Sequence, residues 1–259
     1  MIISHKYKFL FIGLPFSASS AISKELHLEY DGEPYLRKHS LYHEFKNLAT
    51  KSELNYFVFA VLRNPMEIAV TVYEKMKKNA KGNFTNPELF SENGGYITKK
   101  QRKKFNFIND NNSSFQQYFI KFHQNPYDNL SSLTIDNCDF VIKYETIAED
   151  YLLALKKAGI SNPKLLPVAN KTLGKKNDIL AYYTDDIKEV SIAVFGPFMQ
   201  KYNYSFPVLW GEVEIPLKSK LEFLILGVLR KLNQKYFKKY SNKIKSKETI
   251  YGDMQRDKN

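Results

Sequence analysis

A run of small residues near the start of the chain lies between an apolar stretch and a stretch with helical spacing. Residues 11–22 have the sequence FIGLPFSASSAI. Small residues between a strand and a helix expose backbone N–H groups, and the helix N-terminus adds partial positive charge. The sequence therefore predicts a phosphate-binding loop, with a serine-rich helix cap as the alternative interpretation.

The loop lacks the lysine of kinases and ATPases. Their pattern is Gly, four residues and then Gly-Lys-Ser/Thr, in which the lysine reaches the β and γ phosphates. Here Gly13 is followed by four residues and then by Ala18-Ser19-Ser20. A kinase or an ATPase is therefore disfavoured.

A second candidate binding position follows the apolar stretch 56–62. The stretch ends at Arg63. The next two residues, Asn64 and Pro65, favour the start of a helix, and Thr71 lies two turns along that helix. Ligands bind at the carboxyl edge of parallel sheets, so the guanidinium and the hydroxyl could share one phosphate. The alternative is an arginine that closes the strand with a surface salt bridge.

Strand patterns alternate with helical patterns along the chain. Residues 7–12, 56–62 and 140–144 are short and apolar, and each precedes a stretch with helical spacing. This alternation predicts an α/β fold with a mainly parallel sheet. We expect residues 1–209 to form one domain and residues 210–259 to form a basic, amphipathic, helical C-terminal appendage.

The ordered segments resemble the sulfotransferases that use 3′-phosphoadenosine 5′-phosphosulfate (PAPS), most of all their carbohydrate-type branch, which includes sulfotransferase family 2. The matching segments are 11–22, 58–73 (VFAVLRNPMEIAVTVY), 140–160 (FVIKYETIAEDYLLALKKAGI), 166–172 (LPVANKT) and 182–204 (YYTDDIKEVSIAVFGPFMQKYNY). The resemblance implies a P-loop-like three-layer α/β/α sandwich with a central parallel sheet. It also implies transfer of a sulfo group from PAPS to a carbohydrate hydroxyl, which leaves adenosine 3′,5′-bisphosphate (PAP).

The resemblance assigns roles to residues in these segments. The loop residues that it places at the 5′-phosphosulfate are Phe16, Ser17, Ala18, Ser19 and Ser20. Arg63 and Thr71 are implied to bind the 3′-phosphate. Asn170, Lys171 and Thr172 are implied to close over the nucleotide, with an ordinary surface turn as the alternative.

Phe16 departs from the family pattern, which has a lysine at this position. Sulfo transfer develops negative charge on the departing phosphate, and a cation beside it stabilises the transition state. Lys24, Lys38 or His39 could supply that charge instead. The alternative is a PAPS-binding or PAP-binding protein that has lost catalysis.

A histidine is the expected general base, because an acceptor hydroxyl must lose a proton as it attacks sulfur. His39 follows a short strand-like run and precedes a helical pattern in YLRKHSLYHEF, where the carbohydrate-type branch looks similar. We expect His39 to be the base and His43, one turn later, to be the second candidate. A solvated or capping histidine is the alternative.

The composition favours anionic partners. The net charge is +12 and the pI is about 9.4. Nucleic-acid binding is a rival suggested by charge alone, since no aromatic-basic motif of a nucleic-acid module is present.

The single cysteine, Cys138, excludes an intrachain disulfide and a cysteine-based metal cluster, and we expect no metal. The apolar runs are too short for a signal peptide or a membrane span, so we expect a cytoplasmic protein that is soluble or peripheral to a membrane.

Two basic segments remain. The run at 99–104 lies in a polar stretch, 80–112, where it could bind an anionic glycan or be a solvated loop. Pro216 could begin a helix with an apolar stripe and many lysines. We expect that stripe either to pack on the domain or a second subunit, or to lie on an anionic membrane.

Overall fold

Five strands form one mixed sheet in the computed structural model, which describes residues 1–167, 174–176 and 178–236. The sheet order is β3-β1-β2-β4-β5. The strands are β1 (Ile2–Ser4), β2 (Phe9–Ile12), β3 (Glu33–Pro34), β4 (Phe57–Leu62) and β5 (Phe140–Lys143). Helices separate the parallel strands along the chain, so the protein is α/β.

The three predicted strands are parallel neighbours. β2 pairs with β4 from Phe9↔Phe57 to Ile12↔Ala60, and β4 pairs with β5 from Phe59↔Phe140 to Leu62↔Lys143. All residues of β2 are buried, and β4 is buried beyond its first residue. Strands covered on both faces have continuous apolar sequences, which is why these stretches were recognisable.

The other edge of the sheet is antiparallel, which makes the mainly parallel sheet a mixed one. β1 pairs antiparallel with β2, and β3 pairs antiparallel with β1. The sheet therefore contains two parallel and two antiparallel pairings. β1 and β3 are three and two residues long, too short to show a period of alternation.

Eight α-helices accompany the sheet in the described part of the chain. They are α1 (Ser19–Glu29), α2 (Tyr42–Lys46), α3 (Pro65–Lys77), α4 (Lys99–Asp110), α5 (Phe115–Phe122), α6 (Ile147–Lys157), α7 (Lys188–Lys201) and α8 (Leu217–Tyr236). Helix α3 begins as predicted, since Asn64 Oδ1 accepts a hydrogen bond of 2.9 Å from Met66 N, with Pro65 at the first helical position. The polar stretch 80–112 contains α4, which a capping box between Thr98 and Gln101 starts.

The described residues form two compact units. The first contains residues 1–63, 128–167 and 227–236, and the second contains residues 64–127, 174–176 and 178–226. None of these boundaries falls at residues 209 and 210, and the division expected there stays a prediction.

Each unit has its own core. In the first, the ring of Phe59 packs against Phe9 and Phe11, with centroid distances of 5.7 and 5.2 Å, and α6 contributes Tyr151 to the same cluster. The second unit is built on aromatic side chains: Phe115 contacts Tyr183 at 4.9 Å between ring centroids. Two aromatic cores explain why 15% of the chain is Phe, Tyr and Trp.

No helix in the described part of the chain has both the length and the apolar character needed to cross a membrane.

The core of the first unit generates a stability prediction. Phe59→Ala removes a fully buried ring between Phe9, Phe11 and Phe57, and we expect a loss of about 3–5 kcal/mol in the free energy of unfolding. The measurement is chemical denaturation followed by circular dichroism. Leu48→Ala is the control, because that side chain is exposed and its truncation should change stability by less than about 0.5 kcal/mol. Equal effects of the two substitutions would contradict the packing described.

Candidate functional site

The loop between β2 and α1 presents the uncapped end of a helix. Ala18 occupies the N-cap position of α1 and has no side-chain hydrogen bond to the helix, and the first turn contains no acidic residue. The serine cap considered as the alternative is therefore absent. Phe16 and Ala18 have left-handed backbones, with φ of 63° and 53°. Left-handed residues in a loop that precedes a helix turn N–H groups towards a common concavity, which suits an anion.

The serine hydroxyls of the loop have different tasks. The buried Ser17 Oγ donates to the carbonyl of Leu14 at 2.7 Å, which stabilises the loop itself. Ser20 Oγ accepts a hydrogen bond of 2.6 Å from Lys38 Nζ. Ser19 is buried at the start of α1. The structure thus brings the four predicted residues 17–20 into one turn around the end of the helix.

Lys38 supplies a cation beside the loop. Of the three groups considered as replacements for the lysine absent at position 16, Lys38 contacts Ser20 and His39 contacts Gly13, whereas Lys24 is exposed on α1. The close approach of this segment favours glycine at position 13. A Cβ at Gly13 would lie 3.2 Å from the carbonyl oxygen of Lys38 and 3.1 Å from Ser19 Cβ, closer than ordinary van der Waals contacts.

His39 is fixed by the loop in one tautomer. Its Nδ1 lies 2.6 Å from the carbonyl oxygen of Gly13. A carbonyl oxygen only accepts hydrogen bonds, so Nδ1 carries the hydrogen and the lone pair of the neutral ring is on Nε2. Burial lowers the pKa of His39 to about 4; the hydrogen bond to Gly13 opposes this effect and the charge of Lys38 adds to it.

Arg63 contacts the same loop from the end of β4. The side chain is 7% exposed, and Nη1 donates to the carbonyl oxygen of Phe16 at 3.1 Å. The guanidinium lies over the ring of Tyr144, 4.1 Å from its centroid. Arg63 is therefore a buried residue that contacts the loop, and not an arginine on the surface. The side chain of Phe16 is 38% exposed, so residue 16 takes part in the loop through its backbone.

Tyr144 was not identified from the sequence, although the strand pattern contained the information. Leu62 pairs with Lys143 in the parallel register, so Arg63 and Tyr144 are the next residues of adjacent strands. An aromatic ring there offers its face to the guanidinium, an attraction that strengthens when water is excluded.

Thr71 belongs to the second unit, where it is buried in α3. Its Oγ1 has no hydrogen-bond partner among the described residues. Glu67 and Glu74 lie on the same face of α3, where Glu67 pairs with Lys175 and Glu74 accepts a hydrogen bond from Tyr182 Oη. Arg63 lies in the first unit, and the shared phosphate of Arg63 and Thr71 stays a prediction.

The remaining predicted residues, Asn170, Lys171, Thr172 and His43, are not among those that the described structure brings to the loop. Asn170, Lys171 and Thr172 lie outside the described residues. His43 is partly buried on α2, and no hydrogen bond between its imidazole and the loop is present in the part of the chain that the structure describes. The geometry therefore favours His39 over His43.

Comparison of the chain with protein-family models, with curated proteins and with solved structures gave no match. The function is therefore argued from the chain's own residues.

The lowered pKa of His39 generates a prediction about stability. The folded protein binds fewer protons than the unfolded chain between about pH 4 and pH 6.5, so this residue stabilises the fold above pH 6.5 and that contribution is lost as the pH falls towards 4. We expect the wild type to lose more stability than His39→Gln between pH 7 and pH 4, by on the order of 1–3 kcal/mol. Denaturation curves across this range measure the difference.

Part of the pH dependence should persist in His39→Gln. Burial also lowers the pKa of His123, in the second unit, to about 3. Parallel stability curves for wild type and His39→Gln would show that His39 is not held neutral by the fold.

Proposed function

We propose that the chain transfers a sulfo group from PAPS to an acceptor hydroxyl, that of a carbohydrate, and releases PAP. The observation that carries the proposal is the uncapped N-terminus of α1 with two cations beside it: Lys38 is hydrogen-bonded to Ser20 in the first turn, and Arg63 to the loop carbonyl of Phe16. Unlike a basic surface patch, this arrangement combines oriented N–H groups with partly or fully buried positive charge. We also propose a P-loop-like architecture, because the loop joins a strand to a helix beside the parallel strand β4.

The loop residues fit the phosphosulfate end of such a substrate. The N–H groups of residues 17–20 would bind the 5′-phosphosulfate, and no acidic side chain in the first turn of α1 opposes an anion. Arg63 would add charge from the end of β4. In the second unit, the buried hydroxyl of Thr71 could donate a hydrogen bond to a phosphate, which would satisfy an atom that has no partner among the described residues.

Lys38 takes the electrostatic role of the lysine that sulfotransferases have at the position of Phe16. Bound PAPS would supply an activated sulfo group whose transfer leaves negative charge on the departing phosphate. A fixed ammonium beside Ser20 stabilises such charge, and its contact with the serine hydroxyl keeps it at the loop. The substitution of Phe at position 16 therefore leaves the loop with a nearby cation.

His39 would accept the proton of the acceptor hydroxyl at Nε2. The tautomer fixed by Gly13 leaves this nitrogen unprotonated at neutral pH. A pKa near 4 alone makes a weak base. An anion bound on the loop would raise the pKa of His39, because nearby negative charge favours the imidazolium. Substrate binding would thus strengthen the base at the moment at which it is needed.

The first prediction from this proposal concerns binding. We expect Lys38→Gln to weaken PAP binding by roughly 1.5–3 kcal/mol, the scale of a hydrogen bond to a charged group. Lys24→Gln is the matched control, because it removes the same charge from an exposed position on α1 and should leave the affinity nearly unchanged. Calorimetry on both folded variants measures the effect. Equal losses would mean that only net charge matters, which is the behaviour of a non-specific polyanion-binding surface.

The second prediction concerns catalysis. Incubation with labelled PAPS and a panel of glycans and small hydroxyl compounds should give a sulfated product, and His39→Ala should lower turnover by about 10²–10⁴-fold without abolishing PAP binding. His27→Ala is the matched control, because His27 also hydrogen-bonds a backbone carbonyl through Nδ1, that of Gly32 at 2.7 Å, but not in this loop. Its turnover should remain close to that of the wild type.

Two outcomes separate the proposal from its alternatives. Tight PAP binding without sulfation of any acceptor, together with a gain of activity in Phe16→Lys, would identify a binding protein that has lost catalysis. Loss of turnover in His43→Ala but not in His39→Ala would move the general base to α2.

A further inference from the structure

Helix α8 presents an apolar row to solvent. Its large apolar residues recur at intervals of three and four, so they share one face of the helix. Each of them is between 45% and 71% exposed: Leu217, Leu221, Leu224, Ile225, Val228, Leu229, Leu232 and Tyr236. A row of this length and apolar character on a soluble surface marks an interaction site.

The opposite side of α8 is the buried one, and it is mixed, because Phe223 and Leu226 are partly buried there beside polar residues. Ser219 and Gln234 are each 7% exposed. Arg230 Nε lies 3.1 Å from Asp128 Oδ2, whose side chain is 2% exposed. The helix therefore contacts the chain through a mixed polar and apolar side with an ion pair, while the exposed apolar row faces outwards. Among the described residues, the apolar stripe is therefore not packed on the same chain.

The charge around the row is mainly positive: α8 has five Lys or Arg residues and one acid, Glu222, which lies 3.8 Å from Lys218. From residue 223 to residue 247 the sequence has no Asp or Glu and has eight Lys or Arg residues. On α8, Lys218 has 85% of its side chain exposed and Lys231 is also exposed. An apolar face bordered by lysines complements a surface whose interior is apolar and whose outer layer is anionic.

We propose that α8 is a membrane-surface helix that binds anionic lipid. The apolar row enters the boundary between headgroups and acyl chains, and the lysines contact the lipid phosphates and carboxylates. A helix of 20 residues covers about 30 Å of such a surface. This inference does not depend on the proposed sulfo transfer, because it uses none of the residues of the loop.

A second copy of the chain fits this face less well. Pairing two copies through the row would bring the lysine-rich segments together, with only one acid on each α8, Glu222, against five Lys or Arg residues. An anionic lipid surface accepts both the apolar row and the charge. The charge therefore decides between the two occupants.

The test is sedimentation of the full-length protein with vesicles. We expect binding to phosphatidylcholine vesicles that contain about a quarter phosphatidylserine, weaker binding to phosphatidylcholine alone, and weakening in about 1 M salt, where the Debye length is about 3 Å. Leu224→Gln combined with Val228→Gln should reduce binding about tenfold or more, because it places amides in the centre of the row. Lys218→Gln combined with Lys231→Gln should reduce binding about 10- to 30-fold on anionic vesicles only.

The matched control is Leu28→Gln combined with Leu153→Gln, which changes two exposed leucines on α1 and α6 and should bind like the wild type. Circular dichroism checks that every variant is folded. Failure of the wild type to bind anionic vesicles at low salt would overturn the proposal. Equal binding by the Leu224/Val228 variant would also overturn it. So would light scattering that shows a wild-type dimer unable to bind vesicles, if the Leu224/Val228 substitutions dissociate that dimer.

Discussion

The parallel register of β2, β4 and β5 determines where the chemical groups of the first unit lie. Ile12 pairs with Ala60 and Leu62 pairs with Lys143, so the residues that follow these strands emerge at one edge of the sheet. Those residues are the loop from Gly13, Arg63 and Tyr144. The contact from Arg63 to the carbonyl of Phe16 and the contact with Tyr144 both follow from this register. A shift of one residue in the register would reverse the faces of a strand and separate these groups.

The antiparallel edge contributes the other half of the candidate site. β3 pairs with β1, and Tyr35 N donates to the carbonyl of Met1 at 3.0 Å, so the chain that carries Lys38 and His39 leaves β3 in a fixed direction. Gly13 has no side chain to hold this segment away from the loop. The cation and the base candidate therefore come from the part of the sheet that was not predicted.

The sequence predicted what depends on long periodic stretches. The parallel strands lie within two residues of their expected bounds, and the cap at Asn64 is present. The sequence could not show the left-handed backbone of Ala18 or the contact of Lys38 with Ser20, because both depend on contacts that are distant in the chain. For α8 the period gave the apolar row but not its direction. Its direction depends on contacts distant in the chain, such as that of Arg230 with Asp128, about a hundred residues away.

At residue 16 the backbone and the side chain can be considered separately. Its carbonyl accepts a hydrogen bond from Arg63, and its backbone is left-handed. A lysine at this position would bring its charge along a flexible stem from within the loop, whereas Lys38 brings it from a neighbouring segment and is held by a serine. Because transition-state stabilisation depends on where a charge lies and not on which residue carries it, Phe16 is compatible with catalysis as long as Lys38 stays at the loop. The close approach at Gly13 is therefore as necessary to the proposed chemistry as the cation itself.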